Sequence, residues 1–167
     1  MKVLVIYDSV FGNTEQVARA IGSALGTPEE VPVLQVGSVT PAHLSGVEVL
    51  FVGSPTRGFK PTPAITDFLA ALPADALNGV RAAAFDTRIP LESIKNRFFR
   101  WIVKQGGYAD KLIAKALAAR GASLPIPSGG FIVLESEGPL QEGELERAAA
   151  WAKTGRARWT CARKWRD

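Results

Sequence analysis

Apolar stretches typical of buried strands alternate along the chain with segments that have the 3.6-residue periodicity of amphipathic helices. Strands are expected at residues 2–8, 31–36, 47–53, 81–86 and, after a start near Ser123, 130–134. This alternation predicts an α/β domain: a doubly wound parallel sheet of five strands, with right-handed crossovers that place helices on both faces. Ligands of such sheets bind beyond the carboxyl ends of the strands, so the candidate connections are 8–14, 54–62 and 86–92.

Helical segments are expected between these strands. They are at residues 14–25, 41–45, 63–72, 91–120 and 141–154. The long segment 91–120 is expected to hold one or two helices, divided at the glycine pair 106–107. Asn13 or Thr14 can cap the first helix, and Trp151 in the last helix is expected to pack on the core.

The composition is that of one globular domain. The 167 residues are 47% hydrophobic, which is enough for a single core and unlike the composition of a disordered chain. Cys161 is the one cysteine and His43 the one histidine, so neither an intrachain disulfide nor a Cys/His zinc site is expected. The N-terminal apolar run is too short for a signal peptide, and no run reaches the roughly 18 apolar residues of a membrane span. A cytoplasmic protein is therefore expected.

Positive charge is concentrated at the C-terminal end. The formal net charge is +4, but the segment from Lys153 onward carries six basic residues and one acid. The domain is expected to span residues 1–155. A basic tail, residues 156–167, is expected to follow it, to lose helical periodicity and to be solvated or partly ordered. Anionic lipid, RNA or an acidic protein could bind such a tail, although the body of the chain lacks the pattern of a nucleic-acid-binding module.

The first candidate connection, Ser9 to Thr14, joins a buried strand to a helix through small polar residues. A helix start carries unpaired N–H groups and a partial positive charge, which together favour an anion. Gly12 permits an unusual backbone conformation, and Ser9, Asn13 and Thr14 add polar side chains. The connection contains no lysine or arginine and is neither a GxxxxGK[ST] nor a GxGxxG motif. It predicts a phosphate held on backbone amides, the alternative being an ordinary strand-to-helix turn with a polar cap.

Three separate stretches together resemble the flavodoxin family. They are VIYDSVFGNTE at the first connection, GSPT after the third strand, and the polar turn DTR after the fourth. The resemblance extends over nearly the whole chain and implies strand order 2-1-3-4-5, with FMN bound at the carboxyl edge of the sheet. Phe11 stands where many relatives have Ser or Thr, which removes one hydroxyl donor but leaves the backbone N–H.

In the second connection, the resemblance places a backbone turn beside the flavin ring. The peptide of Gly58 can turn its carbonyl toward the flavin N5, and Thr56 and Arg57 offer backbone N–H groups to the ring edge. Phe59 is expected either to lie against the ring face or to act as a lid over the core.

In the third connection, the resemblance places backbone groups against the pyrimidine end of the flavin. The N–H groups of Thr87 and Arg88 would donate there, and a carbonyl or Asp86 would accept from the flavin N3–H. Ile89 stands where many flavodoxins have a stacking aromatic residue. The full set of expected cofactor-binding residues is Ser9, Val10, Phe11, Gly12, Asn13, Thr14, Ser54, Pro55, Thr56, Arg57, Gly58, Phe59, Asp86, Thr87 and Arg88.

Basic residues in these connections distinguish the chain from strongly acidic flavodoxins. A positive charge within several ångströms of the flavin would favour its reduced, anionic form by about 1 kcal/mol. Arg57, Lys60 and Arg88 are the candidates, unless their side chains point into water, where the effect is slight. The amphipathic segment 91–105 is expected either to pack beside the flavin edge or to form a docking surface for an acidic redox partner or a membrane near quinone.

The resulting hypothesis is an FMN-binding electron-transfer protein that exchanges electrons with a redox partner protein or quinone and has no catalytic side chain. The first alternative is an NAD(P)H- or partner-dependent quinone or haem-pathway oxidoreductase on the same FMN site. The second is a non-redox interaction module that has kept the fold and lost the flavin. Glu137 and Gly138 are expected at most at the rim of the site.

Overall fold

The computed structural model describes residues 1–161. The strands of this part are β1 (Val3–Tyr7), β2 (Val33–Gln35), β3 (Val49–Pro55), β4 (Arg81–Arg88) and β5 (Gly129–Ile132). Its helices are α1 (Asn13–Leu25), α2 (Pro41–Leu44), α3 (Pro63–Ala71), α4 (Arg97–Gly106), α5 (Ala109–Ala119) and α6 (Glu144–Cys161). The predicted alternation of strands and helices is confirmed, and the segment 91–120 divides into two helices at Gly107, as expected.

The five strands form one parallel sheet in the order β2-β1-β3-β4-β5, which confirms the predicted order. In its register Tyr7 pairs with Gly53, and Gly53 pairs with Phe85. Pro55, the last residue of β3, pairs with Thr87 near the end of β4. The strands are parallel, so their carboxyl ends lie at the same edge of the sheet, where the connections that follow them meet.

Each face of the sheet carries its own hydrophobic core, because successive strand residues point to opposite faces. On one face Phe51, Phe85 and Phe131 pack beneath α1 and α6. On the other face, side chains such as Ile6 and Leu50 pack beneath α3 and α5.

Trp151 of α6 confirms the prediction that it packs on the core. Its ring makes edge contacts with Phe51, Phe85 and Phe131, with centroids 5.6, 6.3 and 5.8 Å away. Its indole N–H donates to the carbonyl of Pro127 at 3.0 Å. A partly buried aromatic ring of this size, with its polar group satisfied, anchors α6 to the sheet.

Several predicted boundaries differ from the structure, and two of these differences bear on the cleft and the tail. β4 continues past residue 86 to Arg88, and α6 continues past residue 154 to Cys161. The helix extends because alanine and arginine, both good helix formers, follow Gly155 without a breaker. Arg158 also donates to the carbonyl of Pro125 at 3.1 Å, which ties this part of the predicted tail to the domain. Residues 162–167 of that tail lie outside the described part of the chain. Within residues 1–161, no helix combines the length and apolarity needed to cross a bilayer.

Candidate functional site

A cleft of about 410 Å³ opens at the carboxyl edge of the sheet and brings the three predicted connections together. The predicted residues that line it are Ser9, Val10, Phe11, Asn13, Thr14, Pro55, Thr56, Arg57, Gly58, Thr87 and Arg88. Ile89, Val133, Ser136 and Glu137 complete the lining. Its volume is in the range of small-molecule and cofactor sites.

The start of α1 leaves backbone N–H groups free at this cleft. Gly12 is the N-cap residue in a left-handed conformation, with φ of 88°, and its own N–H donates to the Ser9 hydroxyl oxygen at 3.0 Å. Within residues 1–161, acceptors are lacking for the N–H groups of four lining residues, which are Val10, Phe11, Asn13 and Thr14. Because the helix dipole is positive at this end, these groups form an anion-binding site, called the anion seat below.

The predicted side-chain cap by Asn13 or Thr14 is wrong, because both side chains bond across the cleft instead. The hydroxyls of Thr14 and Thr87 lie 2.8 Å apart and are buried. The Asn13 amide donates to the carbonyl of Glu137 at 2.9 Å. The anion seat is thereby tied to the end of β4 and to the β5–α6 connection.

The second connection forms a tight hairpin turn beside the cleft. Arg57 and Lys60 exchange two backbone hydrogen bonds of 2.9 and 3.1 Å, and both residues between them have positive φ, 54° for Gly58 and 67° for Phe59. This pattern is a two-residue turn that glycine favours and a bulky residue adopts only at a cost. The Phe59 ring lies 6.2 Å from that of Phe99 in α4 and does not line the cleft.

Phe11 is the aromatic side chain that lines the cleft, with the Arg57 guanidinium 5.7 Å from its centroid. Phe11 is 46% exposed. In the sequence, Phe11 stands out only as the loss of a hydroxyl donor. In the structure its ring supplies a flat apolar surface at the cleft mouth.

The third connection begins later than predicted, because Asp86, Thr87 and Arg88 are strand residues. Thr87 is in register with Pro55 and Arg88 with Ile132. Their backbone groups belong to the sheet ladder, so the prediction that their N–H groups donate to a ligand is wrong. Their side chains do reach the cleft, and Ile89 provides the first peptide group beyond the strand.

A buried charged cluster lies behind this strand end. Asp86 is fully buried, and its two carboxylate oxygens accept from Arg88 Nε at 2.7 Å and from the Thr56 hydroxyl at 2.8 Å. The other side of the Arg88 guanidinium lies 3.0 Å from Asp110, and its face covers the Tyr108 ring at 4.0 Å. Asp86 is therefore engaged inside the protein and does not line the cleft, which argues against it as the acceptor for the ligand. The alternative acceptor, a backbone carbonyl, stays a prediction.

The cluster changes the electrostatics expected of the site. Burial raises the pKa of Asp86 to about 6, although Arg88 opposes the shift. Burial lowers the pKa of Arg88, but Asp86 and Asp110 raise it by more, so the guanidinium stays charged. Two carboxylates thus balance Arg88, which does not present an uncompensated positive charge to the cleft. Arg57 and Lys60 are exposed, where water and salt screen their charges.

Four predicted residues do not line the cleft, and these are Gly12, Ser54, Phe59 and Asp86. Ser54 is buried, and its hydroxyl oxygen accepts from the N–H of Thr62 at 2.9 Å, which braces the second connection. Val133 and Ser136 were missed, and Glu137 was placed only at the rim. These residues follow β5, and any connection that follows a parallel strand reaches the same edge of the sheet. Their position in the chain could therefore have predicted that they reach the cleft.

No protein-family model and no curated protein sequence matches the chain. Its structure is nevertheless similar to solved ones. A flavodoxin from the domain Archaea matches with a TM-score of 0.74 and 22% identity over 96% of this chain and 99% of that one. Flavodoxin 2 from Bacillus cereus matches with a TM-score of 0.72 and 21% identity over 95% of this chain and 99% of that one.

A longer protein contains a region of similar fold. The rubredoxin oxygen:oxidoreductase of Desulfovibrio gigas matches with a TM-score of 0.71 and 18% identity over 95% of this chain, which corresponds to 36% of that one. At these identities the similarity establishes the fold, and the fold is flavodoxin-like.

Proposed function

We propose that the protein binds FMN in this cleft and transfers electrons through it. One observation carries the proposal: the residues at and before the start of α1 whose N–H groups have no acceptor within residues 1–161 line the same cleft as the ends of β3 and β4. An anion seat at one end and a mixed apolar and polar wall at the other match a phosphate ester that carries a flat ring.

The donor set fits a phosphate without help from a cation. Residues 9–14 contain no lysine or arginine. The donors are the four N–H groups that lack a partner in the described part of the chain, together with the Thr14–Thr87 hydroxyl pair. Hydrogen bonds to a charged group are stronger than those to a neutral group, so several of them can hold a dianion at a helix start.

The remainder of the lining suits the ring system. Val10, Phe11, Pro55, Ile89 and Val133 offer apolar surface, while the turn at Gly58 presents backbone groups. Bound FMN would supply reversible uptake and release of electrons. The side chains of the cleft would orient it, limit its contact with water and set the surrounding charge. The flavodoxins among the similar structures support electron transfer as the role of such a site.

Titration of the purified protein with FMN tests this proposal, with flavin fluorescence as the readout. We expect quenching and saturable binding, and we expect Thr14→Val to weaken binding by roughly 10- to 100-fold through loss of a hydroxyl bond to a charged group. Thr66→Val is the matched control, because the Thr66 hydroxyl donates to the carbonyl of Thr62, the N-cap residue of α3, and Thr66 does not line the cleft.

A backbone variant tests the anion seat separately. Gly12→Ala places a side chain at φ of 88°, where no atom lies within 4 Å, so the substitution strains the turn without a clash. Gly37→Ala is its control, since its added methyl group also meets no atom within 4 Å and its φ is ordinary. A protein that leaves FMN fluorescence unchanged at excess protein would overturn the proposal.

A further inference from the structure

Helix α4 exposes the side chains that a helix on a protein surface ordinarily buries. Of its residues only Val103 is buried. Phe98 and Trp101 are 63% and 57% exposed, and their rings stack with centroids 6.2 Å apart. Exposed apolar surface of this kind, on an otherwise well-packed domain, marks an interaction site.

The exposed surface of α4 has two adjoining stripes. Phe98, Trp101 and Ile102, three and four residues apart, form the apolar stripe, and a basic stripe runs beside it. The members of the basic stripe are Arg97, Arg100 and Lys104. Residues 93–109 contain no acid, and none of these three cations pairs with a carboxylate within residues 1–161.

The basic stripe and Trp101 enclose a groove. Arg97, Arg100, Trp101 and Lys104 line it, and its volume is about 300 Å³. Three cations around one aromatic ring form a binding site for a ligand in which an anionic group is joined to an apolar group. A phospholipid has both an anionic and an apolar group, since its phosphate and its acyl chains are joined through glycerol.

We propose that α4 docks the protein on an anionic lipid surface. The rings of Phe98 and Trp101 enter the boundary between headgroups and acyl chains, and the three cations contact lipid phosphates. The two rings project from one convex helix, so they can enter a fluid boundary without a preformed pocket in a partner. The charge is complementary to anionic headgroups over the full length of the helix.

The position of α4 links this surface to the cleft. Phe99 of α4 contacts Phe59 of the turn at Gly58, and Gly58 lines the cleft. The cleft therefore opens beside the docking surface, so a protein docked through α4 holds its cleft close to the lipid. The surface does not depend on an occupied cleft, and its test stands apart from that of the proposed function.

Sedimentation with sucrose-loaded vesicles tests the proposal on the full chain. Vesicles of phosphatidylcholine are compared with vesicles of phosphatidylcholine and phosphatidylglycerol, at low and high salt. We expect binding to the anionic vesicles alone, weakened by salt. Each cation at the surface contributes about a factor of five, so the triple variant R97Q/R100Q/K104Q is expected to bind on the order of 100-fold more weakly.

Two further variants distinguish binding through the stripes of α4 from attraction by the net charge of the protein. F98S/W101S is expected to lose binding at unchanged net charge. K2Q/K115Q/K153Q removes the same number of exposed cations away from α4 and is expected to keep most of the binding. Thermal melts check that all variants are folded. In brominated phosphatidylcholine mixed with phosphatidylglycerol, fluorescence quenching that disappears in Trp101→Phe, a variant that still binds, would place that ring in the lipid.

Several results would overturn the proposal. The first is absence of binding to either vesicle, and the second is equal binding to both. The third is binding that both α4 variants retain, which would assign it to the basic C-terminal segment. Binding of immobilised polyglutamate through α4, without vesicle binding, would assign the surface to an acidic protein. Self-association that the α4 variants abolish, again without vesicle binding, would assign it to a second copy of the chain.

Discussion

Replacement of Arg88 by glutamine would leave two buried carboxylates without their cation. Asp86 lies 2.7 Å from Arg88 Nε and is fully buried, and Asp110 lies 3.0 Å from the same guanidinium and is buried as well. Removing one partner of a buried ion pair typically costs about 3–5 kcal/mol, because the remaining charge is desolvated and unpaired. We expect Arg88→Gln to reduce the free energy of unfolding by that amount at neutral pH.

The pKa of Asp86 determines in which direction the stability changes with pH. The pKa of Asp86 in the folded protein is about 6, above its ordinary value of 3.8. The folded state therefore binds this proton more tightly than the unfolded state. The proton on Asp86 therefore stabilises the folded state. This contribution is fully present below the ordinary pKa of 3.8 and is lost as pH rises through the folded pKa of about 6, and it amounts to about 3 kcal/mol in total. Loss of Arg88 raises the folded pKa further, so the variant should recover stability as pH falls from neutral toward 5.

Urea unfolding of the wild type and the variant at neutral and mildly acidic pH measures both effects. Arg19→Gln is a matched control, because Arg19 also lies 2.7 Å from a carboxylate, that of Glu15, but both side chains are exposed. Exposed pairs contribute about 0.2–1 kcal/mol, so this control should change stability little. The double variant R88Q/D110N should regain part of the loss.

Equal losses for Arg88→Gln and Arg19→Gln would refute the argument from burial. A loss at Arg88 that stays constant with pH would refute the assignment of Asp86 as the group that takes up the proton. In that case the cost would come from packing against Tyr108 rather than from charge.

Three further outcomes are expected. Gly53→Ala places a methyl group 2.1 Å from the buried Phe85 ring and should lower the unfolding free energy by about 1–3 kcal/mol or more, whereas Gly37→Ala, which meets no atom within 4 Å, should be nearly neutral in urea unfolding. Asp110→Asn removes one of the two carboxylates that balance Arg88 and should raise the midpoint potential of bound FMN by on the order of 50 mV in a redox titration. An unchanged potential would remove Arg88 from the electrostatics of the cleft. Glu137→Gln removes a carboxylate that lines the cleft and should tighten FMN binding several-fold at low salt in a fluorescence titration, while Glu135→Gln, outside the lining, should not.

The alternation of elements was predictable because each strand is a continuous apolar run and each long helix has a periodic apolar face. The strand order came from the resemblance of three connections to flavodoxins, and periodicity alone would have left it open. The predicted end of β4 at residue 86 was wrong because polarity was taken as the sign of a turn. Asp86, Thr87 and Arg88 remain in the strand because their side chains find polar partners in Thr14, Thr56 and Asp110.

Parts of the site depend on contacts between distant residues and have no local signal. Arg88 and Asp110 are separated by a helix and two loops, so their ion pair arises only from the tertiary fold. The positive φ of Phe59 is a conformation that its residue type disfavours, and the surrounding hairpin imposes it. The Asn13–Glu137 bond similarly joins the first and last connections of the sheet.

The central claim is that the start of α1 holds the phosphate of FMN on backbone amides. Calorimetric titration of the protein with FMN and with riboflavin tests it most directly, since the two ligands differ only in the phosphate. Several charge-assisted hydrogen bonds, each contributing about 1.5–3 kcal/mol, predict that FMN binds at least about 100-fold more tightly than riboflavin. Equal affinities for the two ligands would contradict the account.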